Sequence, residues 1–282
     1  MPLVVNTNMN ALTIENLLSN TNNSVSTDLT ELSSGLRINS AENDPAGYAI
    51  ANSFKASIAA MNVASQNASQ AQSMLQTADG AYSQINNILV QMKSLATEAA
   101  SGQESSTNLG SLQGEYSDLQ SEIDQIAQST NYSGTTLIAG GGSGTNGAVV
   151  VTFQVGSTNN TNDQFAVSLT CATTAGLGVS SSNTSIGTQA AAQSAMNAID
   201  TALTSINSYM GNVGALQNQL QYTMSNLTTS IQNYTSSQST IEDVDMASAV
   251  SSLTKNEILQ QSAMAMLAQA NQQPQQILKL LG

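Results

Sequence analysis

Starting at Phe54, every seventh residue as far as Ala96 is apolar: Phe54, Met61, Ala68, Leu75, Tyr82, Leu89 and Ala96. A second series, Ser57, Ala64, Ala71, Ala78, Ile85, Met92 and Ala99, is apolar after its first member. An unbroken 3.5-residue repeat over this span specifies one long helix packed along a partner in a left-handed supercoil. At 1.5 Å per residue that helix is about 70 Å long, too long for a compact globule of 282 residues. The chain must therefore be built mainly from long helices lying side by side.

Three further stretches repeat the pattern. Leu109, Leu112, Tyr116, Leu119, Ile123 and Ile126 alternate spacings of three and four, which makes a shorter helix. Met196, Ile199, Leu203, Ile206, Met210 and Val213 do the same, and the register continues through Leu220, Met224, Leu227, Ile231 and Tyr234 with Gln217 as its one polar member. Near the amino terminus, Ala11, Ile14, Leu18, Val25, Leu29, Leu32 and Leu36 form another stripe. The last segment carries Val250, Leu253, Ile258, Leu259, Met266 and Leu267, and ends in Ile277, Leu278, Leu280 and Leu281 without evident burial within one chain.

Punctuation places the breaks. Asp44 followed by Pro45 sets an N-cap acceptor before a proline at the first helical position, so the long helix should begin there, after a break at Asn39 to Asn43. Ser239 with Glu242, and Thr240 with Asp243, resemble capping boxes that would restart a helix at Ile241. Pro274 should limit the final helix. Between residues 134 and 188 the chain turns to Gly, Ser, Thr, Asn and β-branched residues. Val149, Val151, Phe153 and Val155 alternate with their neighbours, Gly156 to Asp163 reads as a polar turn, and Phe165, Val167 and Leu169 alternate again, which predicts one β-hairpin. The expected fold is mainly α: a long antiparallel helical hairpin or coiled-coil bundle with a small β element in the middle.

Composition narrows the function. Without histidine there is no His-based general base, nucleophile pair or metal ligand, so the chain is not read as an enzyme and no cofactor or metal is expected. Five Lys+Arg against 18 Asp+Glu give a net charge of -13, which nucleic acid and anionic membranes repel. The amino terminus lacks the basic and apolar regions of a cleaved secretory signal, and no run approaches the length of a membrane span. Gly140 to Gly144 is not followed by the Gly-Lys-Ser/Thr of a phosphate-binding loop and reads as a flexible loop. Glu242, Asp243 and Asp245 read as charges compensating a helix dipole in its first turn, and Cys171 as a small apolar residue. The Asn-x-Ser/Thr triplets, such as those at Asn131, Asn183, Asn226 and Asn233, are expected by chance in so Asn- and Ser-rich a chain.

Charge also bears on assembly. Only 8% of residues are charged, against about 25% in a typical soluble domain. From Ser94 to Thr254 there is neither Lys nor Arg, so ion pairs in the middle of the chain must pass through Lys55 or Lys93. Apolar stripes at both ends with little to bury them imply packing against other copies. Contacts between copies should then rest on apolar packing and amide or hydroxyl hydrogen bonds, and should persist in high salt and moderate acid. The Ser/Thr-rich stretch Ser157 to Thr188 is expected to be an exposed loop carrying O-linked sugars.

The block from Leu32 to Ala41, reading Leu-Ser-Ser-Gly-Leu-Arg-Ile-Asn-Ser-Ala, with Asp44, Ala46-Gly47 and Ala49-Ile50-Ala51-Asn52 after it, resembles the amino-terminal signature of bacterial flagellins. Val5-Asn6-Thr7-Asn8 fits as well. Ile241-Glu242-Asp243 with Asp245, then Ile258 to Gln261, Leu267 to Gln275 and Leu280-Leu281, resemble the carboxy-terminal one. The resemblance covers roughly residues 1 to 138 and 187 to 282.

It implies a filament subunit folded back on itself. Residues 1–43 and 241–282 would form the two halves of an inner-core coiled coil, self-assembling through Ile14, Leu18, Val25, Leu29, Leu32, Leu36, Val250, Leu253, Ile258, Leu259, Met266, Leu267, Leu278 and Leu281. Residues 44–240 would form an outer helical layer with its β region at about 134–186. Phe54, Met61, Leu75, Tyr82, Leu89, Leu109, Leu112, Tyr116, Leu119, Ile123, Ile199, Leu203, Ile206, Val213, Leu220 and Leu227 would pack that layer.

The large outer domains of many members look absent. The resemblance further implies a helical homopolymer outside the cell, type III export without a cleaved signal, a flagellin chaperone on the carboxy-terminal helix, and filament cap and hook-associated proteins as partners. In the segment that a Toll-like innate immune receptor senses in many members, Lys93, Leu95 and Glu115 match while Gln91 stands where arginine is usual, so receptor activation does not follow. Gln238 and Thr240 stand where two basic residues usually precede Ile-Glu-Asp. The alternatives are a hook-filament junction protein of the same superfamily, expected to lack the Leu267 to Gln275 ending, and a secreted coiled-coil adhesin or needle-tip protein.

Overall fold

The structure is a computed structural model; it describes residues 8–140 and 147–281, with side chains as far as Gln272. Five helices carry most of the chain: α1 (Met9–Ser34), α2 (Pro45–Ala99), α3 (Ser106–Ser129), α4 (Gln189–Glu242) and α5 (Met246–Leu281). Between α3 and α4 lie four short strands, β1 (Asn131–Tyr132), β2 (Thr135–Thr136), β3 (Val149–Gln154) and β4 (Gln164–Leu169). The chain divides into a central unit, residues 59–231, and a terminal unit made of 1–58 with 232–282.

The heptads of α2 organise the central unit. Every member of both series from Met61 to Ala99 is buried, with Leu75, Tyr82, Ile85, Leu89 and Met92 fully so. Tyr116 and Ile123 from α3 and Ile199, Ile206, Val213 and Leu220 from α4 join the same core. Leu109, Leu112, Leu119 and Leu203 pack half-buried against it, and Leu227 is buried farther along α4. Tyr82 donates a hydrogen bond from its hydroxyl to Thr170 O at 2.7 Å. Burial, with Tyr209 and Cys171 beside it, pushes the Tyr82 hydroxyl well above the usual tyrosine range although that hydrogen bond opposes the shift.

Two β-hairpins are present where the sequence predicts one. β3 and β4 pair antiparallel as the expected hairpin, with Val151 opposite Val167 and Phe153 opposite Phe165. Phe165, Val167 and Leu169 face the core in strict alternation, as a period of two requires. The additional hairpin pairs β1 with β2 through Ser133 and Gly134, both at positive φ. Two left-handed residues in a two-residue loop match the twist of the flanking strands, so the Ser-Gly pair was the signal for this turn.

The stretch Ser157 to Thr188 is not one exposed loop. β4 runs through it, and Leu177, Val179 and Ile186 are buried. Three polar side chains of α3 hold the irregular part. Asp124 accepts from Thr174 N and Oγ1, both at 2.8 Å. Gln120 donates to Val179 O at 2.7 Å, and Gln113 Oε1 accepts from Ile186 N at 2.6 Å. Buried backbone without ladder partners needs such acceptors and donors. Ser157, Ser181, Ser182 and Ser185 remain exposed.

Three expected boundaries shift. α4 continues to Glu242, so no helix restarts at Ile241; the break falls at Asp243 to Asp245, and Asp245 caps α5 by accepting from Ala247 N and Ser248 N. Glu242 and Asp243 thus stand at the end of α4 and not in a first turn, and the capping boxes fail because Thr240 Oγ1 bonds back to Ser236 O inside the helix. Helix α5 runs past Pro274 to Leu281. Leu36 leaves its helical stripe: α1 ends at Ser34 and Gly35 adopts the left-handed conformation that terminates helices. The start of α2 is as expected, with Asp44 Oδ1 accepting from Ala46 N and Gly47 N.

Candidate assembly surface

In the terminal unit α1 and α5 lie antiparallel. Asn8 donates to Ala270 O at 2.8 Å, Gln260 to Asn22 Oδ1 at 2.6 Å, and Asn256 to Asp28 Oδ2 at 2.8 Å. The residues buried along the pairing are small: Thr21 on α1, and Ala249, Ala263 and Ala270 on α5. Ala249, Asn256, Ala263 and Ala270 recur every seventh position, a seam that the sequence displays but that a search for large apolar residues passes over.

Small residues let two helices approach closely and leave the large ones turned outward. Leu29 is 51% exposed, Val250 50%, Ile258 58%, Leu259 45% and Met266 60%. Ile14, Leu18, Val25, Leu32, Leu36, Leu253 and Leu267 are half-buried. The side chains of Leu278 and Leu281 lie outside the described residues. Large exposed apolar side chains gathered on one helix pair make this unit a candidate for contact with another protein.

The terminal unit is closed by a backbone clamp. Arg37 N donates to Glu242 O at 2.7 Å and Val244 N to Gly35 O at 3.0 Å, with Leu36 bridged antiparallel to Asp243. The Arg37 guanidinium donates to Ile241 O at 2.6 Å. Ile241 lies in the last turn of α4, where carbonyls lack helical partners and the dipole favours a cation. Ile38 is 2% exposed, and a Cβ on Gly47 would overlap Asp44 Oδ2 and come within 2.7 Å of Ile38 Cδ1. Phe54 meets Tyr234 edge-on, ring centroids 5.4 Å apart.

Lys93 makes the one ion pair among the described residues, to Asp200 at 2.5 Å, with both side chains substantially exposed. Gln91 and Glu115 are exposed, and Leu95 is buried. Among the described residues no group of three or more His, Cys, Asp or Glu could hold a metal ion, and no helix is long and apolar enough to cross a membrane. Gly141 to Gly144 lie outside the described residues. Cys171 is buried, its sulfur 3.2 Å from Thr173 Oγ1.

Two family descriptions match the chain: the bacterial flagellin N-terminal helical region over residues 5–143, and the bacterial flagellin C-terminal helical region over residues 196–281. The chain belongs to the flagellin family. It is 36% identical to the flagellin of Bacillus subtilis (strain 168), the match covering 98% of this chain and 99% of that one. It is 34% identical to a flagellar filament 33 kDa core protein of Treponema phagedenis, over 99% and 100% of the two chains. A putative flagellar hook-associated protein from Vibrio parahaemolyticus superposes with a TM-score of 0.58 at 12% identity, over 71% of this flagellin and 99% of that chain, a likeness of fold. Both of these flagellar relatives are matched over nearly their whole length.

Proposed function

We propose that this flagellin is the structural subunit of a bacterial flagellar filament outside the cell, serving motility. The observation that carries the reading is the α1 and α5 pair, held by an alanine seam with its large apolar side chains facing outward. Residues 1–43 and 241–282 form the inner core of the polymer, and residues 44–240 its outer layer. Other copies cover Leu29, Val250, Ile258, Leu259 and Met266. Export through the flagellar type III apparatus, a chaperone on α5 before export, and cap and hook-associated proteins at the filament ends complete the set of partners.

A hook-filament junction protein is disfavoured because the carboxy-terminal match extends over 196–281, through the Leu267 to Gln275 ending such a protein would lack. The test is complementation of a strain lacking its flagellin. Wild-type chain restores filaments, whereas Ile258→Asp with Met266→Asp leaves secreted monomer, because carboxylates would be buried without partners. Filaments of normal length from the double variant would defeat the proposal.

A further inference from the structure

We propose that Tyr222 of one copy seats in the groove between α2 and the 154–159 turn of the next copy. The inference rests on polymerisation as proposed above and specifies one of its contacts. Each copy carries a net charge of -13, so bringing copies together is opposed unless the touching surfaces are free of charge. The sequence leaves such surfaces on both partners. From Ala56 to Ala78 on α2, and from Thr201 to Ile241 on α4, there is no Asp, Glu, Lys or Arg.

Tyr222 lies within the uncharged part of α4 and is 78% exposed, the highest fraction of any exposed large apolar side chain described. An outward tyrosine offers a flat apolar ring and a hydroxyl that can still hydrogen-bond when covered. The receptor is a groove with about 450 Å³ of open space, walled by Ala60, Val63, Ala64 and Asn67 and by the turn Gly156 to Asn159. Val63 is over half exposed there.

The groove is held in shape before any partner arrives. Asn67 donates to Gln154 O at 3.0 Å, tying the turn to α2. Asp163, the carboxylate nearest the turn, is occupied by Thr158 N at 2.9 Å and by the Thr158 hydroxyl. It lies against Gly156, where any side chain would overlap it. A preformed site loses little freedom on binding. Tyr222 and the groove are different surfaces of the same unit, so the contact is heterologous, the type that propagates into an open helical polymer.

The test mixes two populations, Val63→Cys chains and Tyr222→Cys chains, polymerises them together and oxidises mildly. Disulfide-linked dimers are expected in the mixed filament and not in filaments of either variant alone. In parallel, Tyr222→Lys should raise the critical concentration for polymerisation on the order of tenfold, the loss of one buried ring from an interface. Adding Val63→Glu should bring it back down, and monomer melting should stay unchanged because both side chains are exposed. Tyr222→Lys polymerising at the wild-type concentration, or cross-links equally strong in a single-variant filament, would overturn the contact. Failure of the wild-type chain to polymerise would instead strike the functional reading.

Discussion

The central and terminal units solve the same packing problem with opposite outcomes. In the central unit every heptad residue from Met61 to Ala99 is buried, and large side chains such as Leu75, Tyr82 and Leu89 fill the seam. In the terminal unit the seam holds alanines while Leu29, Ile258 and Met266 face outward. Burying apolar area is the main stabilising contribution to folding, so a unit that buries alanines gains little within one chain. The lesson is that the apolar stripes here have two destinations. One is the core of the monomer, and the other stays exposed, for the polymer to cover on the function proposed above.

The largest expected effect tests the closed side of that contrast. Leu89→Ala removes a fully buried side chain from the central core and should cost about 2–5 kcal/mol by urea denaturation of the monomer. A loss below about 1 kcal/mol would mean that the central unit is as loosely packed as the terminal one.

Next in size is the alanine seam. Ala263→Leu puts a large side chain where α1 and α5 approach and should cost about 1–3 kcal/mol. The loss should appear as faster amide exchange confined to α1 and α5, with the central unit unaffected; uniform loss across the molecule would erase the distinction between the units.

A third effect is read against pH. Unfolded tyrosine ionises near 10, whereas buried Tyr82 keeps its proton above that value. Above pH 10 the unfolded chain therefore loses a proton that the folded chain retains, and stability falls as pH rises. Tyr82→Phe should be less stable at neutral pH by about 1 kcal/mol, for the lost hydrogen bond to Thr170 O, and should show a shallower decline in alkali. Equal alkaline slopes in the two proteins would place the sensitivity elsewhere.

The smallest effect is the sharpest for the comparison. Met266→Ala should change monomer stability by less than about 0.5 kcal/mol, since its side chain is mostly exposed, yet it should raise the concentration needed for polymerisation. Filaments should meanwhile tolerate 1 M salt, because the one ion pair among the described residues, Lys93 with Asp200, is exposed and screened. Sedimentation measures both. Dissolution in salt would show that charge, and not apolar packing, joins the copies.

Much of the fold was legible from local pattern. The heptads of α2, the Asp44-Pro45 start and the alternation of β3 and β4 are statements about neighbours three, four, seven or two residues away, and each appears in the structure. The readings that failed depended on competition between local options. Ser239 and Thr240 could cap a new helix, but Thr240 bonds back to Ser236 O within α4, Ser239 donates to the Asp243 carboxylate, and Asp245 became the cap. The β1 and β2 hairpin escaped notice because two-residue strands have no periodicity to detect, leaving Ser133-Gly134 as the sole cue.

The proposed assembly surface was legible as a set of residues and not as an arrangement. Leu29, Val250, Ile258, Leu259 and Met266 were visible as stripe members, but periodicity alone cannot say which face of a helix meets its nearest partner. The sequence by itself determined the long helices, the family and the scarcity of charge, since these follow from composition and local spacing. Only the tertiary structure decided that alanines take the α1 and α5 seam, that Arg37 closes the unit on Ile241, and that Tyr222 stands outward. Such choices turn on how closely two distant segments approach, a quantity set by packing across the whole unit.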